Sequence, residues 1–374
     1  MATKKRTITR RQFVSLAAAT TLLPQLLSGC DNSTNSNIAF LAAADDAHGR
    51  HFLVATDQQF TEVQRWPLPF RGHEVIVSTS KDVALLLGRR PSNQGILVQL
   101  KAPFEATLFS TSPDRHFYGH GCFSPSENTI ITGENDFKNG KGVLVQRSAS
   151  TLQVVSECDS GGIGPHEFAW LSDGKTLAVA NGGILTHPDK PRMKLNIDSM
   201  APNLAIIDFE DKKVLERVPG NEPKASIRHL AVADNDLVIV GMQYEGSPLN
   251  KIPLVATYSG SGWDAIEMPD EDLAKMKQYT GSVCVDPTTG YALVTSPRGH
   301  QLTFWNTRER QYLGKKHYRD ISGLAFDSSS QCFFATTGLG KAYAVSINSF
   351  LELNEQKPLS KQPNLKWDNH VTRV

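Results

Sequence analysis

Cysteine is scarce in this chain and poorly spaced for holding a metal or a haem. Beyond Cys30 there are Cys122, Cys158, Cys284 and Cys332, none in a Cys-x-x-Cys pair. That spacing excludes a zinc ribbon and a Cys-x-x-Cys-His haem attachment, and it leaves three disulfide pairings open. Also missing are a Gly-x-Ser-x-Gly nucleophile elbow and a His-Glu-x-x-His zinc motif. Charge of one sign is lacking too: without residues 1–29 the formal balance is 34 basic against 38 acidic residues. With no basic stripe, nothing courts nucleic acid, and with no acidic block there is no solvated tail. No second apolar stretch of spanning length follows Val14–Leu27, so the body is expected to be soluble.

What is present at the N-terminus is dense with signal. Lys4, Lys5, Arg6, Arg10 and Arg11 form a basic head, followed by an apolar run too short to span a bilayer and then Leu27-Ser28-Gly29-Cys30. Thr9-Arg10-Arg11-Gln12-Phe13 resembles a twin-arginine export signal, and Leu-Ser-Gly-Cys resembles a lipobox, after which a bacterial lipoprotein is cleaved and acylated. The expectation is a signal peptide over residues 1–29, then acylated Cys30 with a polar tether to residue 37. More than one acyl chain on Cys30 gives stable anchoring, and Asp31-Asn32 resembles an inner-membrane retention signal. The expected location is therefore the periplasm, on the inner membrane. A twin-arginine substrate folds in the reducing cytosol, so the fold is expected to stand without disulfides.

From residue 38 to residue 374 one phrase repeats: a His or Ser, an alternating apolar strand, a Ser/Asp/Gly turn and a second apolar strand. Copies begin at His73, His120, His166, His229, Ser282 and Ser322, separated by 47, 46, 63, 53 and 40 residues. This is the period of a four-stranded propeller blade, with insertions in the third and fourth intervals. Asn369-His370-Val371-Thr372-Arg373-Val374 begins one more copy and stops, while Ile38–Ala44, His51–Thr56 and Val63–Pro67 supply three strands with no His-led strand ahead of them. The pattern predicts a single all-β domain, a seven-bladed β-propeller closed by pairing of its N- and C-terminal strands, which removes two free edges. Asp270–Tyr279 is the one helix-like insertion.

The first strand of each blade lines the channel, so five histidines, His73, His120, His166, His229 and His370, fall around one mouth. Many propellers use such a histidine to tie strand to turn, and each one taken singly fits that role. Taken together they suit a transition metal, iron or copper. Opposite positions on a seven-blade ring are expected to lie too far apart for one ion, which leaves neighbouring His120, His166 and His229 as the expected ligands. Glu167, Glu134 and Asp136 are the expected oxygen donors. The loop Asn181–Asn196 exceeds what a blade turn needs and carries Asn181, His187 and Arg192; Arg90, Arg228 and Arg298 sit at comparable points and offer guanidinium forks to a carboxylate or phosphate. Bracing of loop against blade is the competing role for all of these.

Several phrases are long and specific: Gly119-His120-Gly121, Thr132-Gly133-Glu134-Asn135-Asp136, Gly161-Gly162-Ile163-Gly164-Pro165-His166-Glu167, Ser226-Ile227-Arg228-His229, and Thr295-Ser296-Pro297-Arg298-Gly299. Through them the chain resembles an uncharacterised family of twin-arginine-exported propellers known only as a domain of unknown function. The resemblance implies a gene neighbourhood shared with imelysin-type, iron-regulated periplasmic proteins, hence a role in iron handling with an imelysin-like partner. Asn135, within the second of these phrases, is a further expected ligand-binding residue. His300 and Ser92 depart from the family pattern. Two functions fit: a binding or scaffold protein, and a lactonase-like hydrolase in which the His, Glu and Arg residues activate water and hold an oxyanion.

Overall fold

The computed structural model describes residues 37–374 apart from 79, 191–192, 261 and 348–356. The signal peptide, Cys30 and Arg192 therefore lie outside the described residues. Seven four-stranded antiparallel sheets form the ring, each running from an inner to an outer strand. The first blade is composite: Phe40–Asp46, His51–Thr56 and Glu62–Leu68 are completed on the inside by Leu365–Arg373. Closure is a ladder of pairs, among them Phe40 with Arg373, Ala42 with Val371 and Ala44 with Trp367. The last strand begins at Leu365, four residues earlier than the repeat phrase alone predicts.

The remaining inner strands, blades two to seven, are Gly72–Ser78, Arg115–Phe123, Pro165–Trp170, Ala225–Ala233, Ser282–Val285 and Ile321–Asp327. Burial falls from the second strand of a blade outward. Val83–Gly88 and Thr176–Asn181 are buried along their whole length, because each is covered on both faces by neighbouring blades. Outer strand Lys213–Pro219 is mostly exposed. This is why second strands read as continuous apolar runs while outer ones mix polar and apolar residues.

The core is accordingly divided among the blade interfaces. Leu85, Leu87, Phe117 and Ile130 fill the wedge between blades two and three. Leu204, Ile206, Ile227 and Val240 fill that between four and five, and Phe40, Phe334 and Trp367 that between seven and one. Between strands, turn chemistry is local: Gly174 takes φ +64°, while Asp173 accepts from the Lys175 and Thr176 amides and from Thr176 Oγ1. The helix Asp270–Lys275 lies in the insertion between blades five and six, as expected.

Candidate functional site

At one mouth of the channel the inner strands break register with their neighbours at corresponding points. The irregular segments hold His73-Glu74, Tyr118-Gly119-His120, His166, Arg228, Ser322-Gly323 and Asp368-Asn369-His370. Blade six alone pairs without a break. A bulge turns a side chain away from the strict alternation of a strand, and here it turns the histidines and their flanking residues into the channel. Gly119 shows how tight the result is. It sits at φ +106°, and a Cβ added there would stand 2.5 Å from His73 Cδ2.

All five mouth histidines converge. Ring centroids lie 4.9 Å apart for His73 and His120, 4.8 Å for His120 and His166, and 4.8 Å for His166 and His229. His370 is 4.7 Å from His73, 4.6 Å from His120 and 5.1 Å from His229. The last distance corrects the expectation that opposite blades stand too far apart. The bulges push the rings past the channel wall, so blades one and five meet across it, and His73 and His370 join His120, His166 and His229. His120 touches the other four. Ligand atoms of His73, His120 and His166, and of His120, His229 and His370, lie within 4.8 Å of one another.

Three of the five histidines each face a carboxylate of the preceding blade. Asp368 of blade one lies 2.8 Å from His73 Nδ1, Glu74 of blade two 3.1 Å from His120 Nδ1, and Glu167 of blade four 3.0 Å from His229 Nδ1. Glu74 and Glu167 use the same oxygens for the backbone N–H just beyond the histidine, Gly121 at 3.2 Å and Leu230 at 3.0 Å. Such partners fix the tautomer and orientation of a ligating imidazole. Burial pulls the His73 imidazole down to about 3 against the opposing effect of Asp368. Burial, with the neighbouring cations, holds His166, His229 and His370 well below the usual range. For His120 burial is outweighed by Glu74, and its pKa rises. Burial also pushes Glu167 up to about 7. His166 Nδ1, His370 Nε2 and both ring nitrogens of His120 make no hydrogen bond among the described residues, Glu74 facing His120 Nδ1 as an ion-pair partner.

Above the rings opens a cavity of about 210 Å³, lined by His73, His166 and His229 together with Arg90, Arg228 and Arg298. Arg89, Tyr118 and Tyr279 complete its wall. The long loop contributes Lys194, which pairs with Glu245. Asn196 closes that loop on itself, accepting from Leu185 N at 2.7 Å and donating to Gly183 O at 2.9 Å.

Other expected site residues lie elsewhere. Glu134, Asn135 and Asp136 are on a second strand, which faces neighbouring blades rather than the channel. Glu134 pairs with Arg147 at 2.7 Å, Asn135 donates to His116 Nε2 at 2.8 Å, and Asp136 caps the turn at Asn139. Asn181, also on a second strand, accepts from Ser160 Oγ and donates to Ser160 O. His187 packs beside Phe137 with its ring centroid 4.9 Å away. Glu74 was missed, although His73-Glu74 repeats His166-Glu167 at the equivalent point. Asp368, Tyr118 and Tyr279 carry no such signal.

No curated protein matches the sequence. Among solved structures, Kuenenia stuttgartiensis hydrazine synthase is similar over 86% of this chain and 99% of that one, with a TM-score of 0.59 and 12% identity, a likeness of fold alone. A family model covers the site and nearly all of the ring, residues 66–374, and by it the chain belongs to the family described as protein of unknown function (DUF1513).

Proposed function

We propose that this propeller is a periplasmic, membrane-tethered binding protein that holds a transition metal, iron or copper, on its mouth histidines. The convergence of five imidazoles carries this reading. The donor set fits: neutral imidazole suits these metals, burial keeps most of the rings neutral, and the ring nitrogens without partners have no structural task. His120, with His73 and His166 on one side and His229 and His370 on the other, would hold the ion, while Glu74, Glu167 and Asp368 orient the rings. A bound ion would supply Lewis acidity or an electron; the chain's own part is to select, orient and bury it.

Delivery by the twin-arginine signal and anchoring through Cys30 rest on the N-terminal motifs. An imelysin-like partner in iron handling rests on the family resemblance. The test of the metal site is calorimetric titration of purified protein with Fe(II) and Cu(II) salts. Binding that His120→Ala abolishes and His187→Ala leaves intact is expected. Undiminished binding by His120→Ala and His166→Ala, with lowered melting temperatures, makes the cluster structural. A lactonase-like hydrolase is the second reading, favoured by Glu167, whose acidity near neutrality suits a general base; it requires lactone turnover that Glu167→Gln removes.

A further inference from the structure

Three guanidiniums face the cavity over the histidines without a carboxylate to neutralise them. Arg228 is 6% exposed, and its Nε is buried with no hydrogen-bond partner among the described residues. Arg90 lines the same cavity with no hydrogen bond or ion pair among the described residues. Arg298 stands over the Tyr279 ring, 4.2 Å from its centroid. The acids nearby are already committed: Asp368 to Arg89 at 2.7 Å, to Arg71 and to His73, and Glu245 to Lys194. An unpaired buried charge is among the most expensive features a fold can carry, and neighbouring like charges compound the cost. The hydroxyls of Tyr118 and Tyr279 add neutral donors to the same wall.

We propose that this cavity is a built site for a small oxyanion carrying at least two carboxylate or phosphate oxygens, bridged by Arg90, Arg228 and Arg298. Planar forks match such oxygens in pairs, which an ammonium cannot do. Its floor is His73, His166 and His229, so an anion seated here lies directly over the imidazoles. This deepens the metal reading and rests on it in one respect: the anion accompanies the metal, entering as a carboxylate or phosphate complex. Anion binding itself needs no metal.

The test uses purified wild-type protein, free of metal, titrated separately with citrate and with inorganic phosphate, and then with a metal chloride alone. Citrate binding identifies a carboxylate ligand and phosphate binding a phosphate one. Either should weaken about tenfold or more in Arg228→Met and Arg90→Met, since each loses a charge-assisted bond. Arg228→Met should also melt higher than wild type, because it removes an uncompensated buried charge. Absence of heat with both anions, with or without metal, overturns the proposal, as does equal affinity in the arginine variants. If the metal chloride fails to bind while an anion binds, the metal reading falls and the anion site stands.

Discussion

Glu167 of the fourth blade holds His229 of the fifth: its Oε2 lies 3.0 Å from the imidazole Nδ1 and accepts the Leu230 amide at the same distance. One oxygen thus fixes both the ring and the backbone that carries it. Two interfaces earlier in the repeat Glu74 takes the corresponding place, accepting the Gly121 amide at 3.2 Å and facing His120 Nδ1 at 3.1 Å as an ion-pair partner. The clasp joins blades, so it positions a histidine relative to its neighbours and not merely within its own sheet.

From this follows the behaviour of Glu167→Ala. The imidazole of His229 keeps its place in the channel but loses its fixed tautomer, so metal affinity is expected to fall about 10–100-fold. Competition against a chelator of known strength measures it. Affinity equal to wild type, in a protein that folds normally, would show that the clasp does not orient a ligand.

Ring closure concentrates on the last strand. Trp367 is 4% exposed and packs with Phe334 of blade seven and Phe40 of blade one. Trp367→Ala is expected to cost about 3–5 kcal/mol, the loss for a buried aromatic with partial collapse around it. Deleting residues 365–374 removes an inner strand and should cost more. Urea denaturation followed by circular dichroism reads both, and a deletion that unfolds at the wild-type midpoint contradicts the closure.

The architecture was legible because a repeat multiplies a weak signal. One alternating strand is ambiguous, but six copies led by His or Ser at propeller spacing are not, and the orphan strands at Ile38 and Asn369 identified the composite blade. The mouth histidines followed from equivalence between copies. What escaped was set by bulges, which sequence does not reveal: they decide how far His370 reaches towards His229 and bring Asp368 against His73. Glu134 and Asn135 looked chemical because they are polar within an apolar run. Their strand faces a neighbouring blade, and there Glu134 Oε1 accepts from Arg147 and the Asn135 amide nitrogen donates to His116.

The four cysteines of the described ring are free. Burial pushes the Cys158 thiol up to about 11 and Cys284 up to about 12, and Cys122 rises for the same reason. A thiol reacts as its thiolate, so these are expected to resist alkylation in the folded protein at neutral pH. Added reductant should leave the melting temperature unchanged. A drop in melting temperature on reduction would contradict the free state of the cysteines, and rapid iodoacetamide labelling under native conditions would contradict the raised thiol pKa.

Asp46 gives the closing blade a dependence on acid. Its carboxylate accepts from the His48 and Arg50 amides at 2.9 Å each and from Arg50 Nε at 2.7 Å, clamping the turn between the first two strands. Burial alone would raise its pKa, but these donors and the Arg50 charge carry it down to about 2 from an ordinary 3.8. A carboxyl more acidic when folded than unfolded stabilises the fold above its unfolded pKa, and that contribution disappears as pH falls through the folded value. The stability gap between wild type and Asp46→Ala is therefore expected to be widest at pH 5 and above and to narrow steadily below pH 4. Denaturant midpoints for both proteins at pH 6, 5, 4 and 3 measure it. A gap that stays constant across that range would show that Asp46 acts through turn shape rather than through its charge.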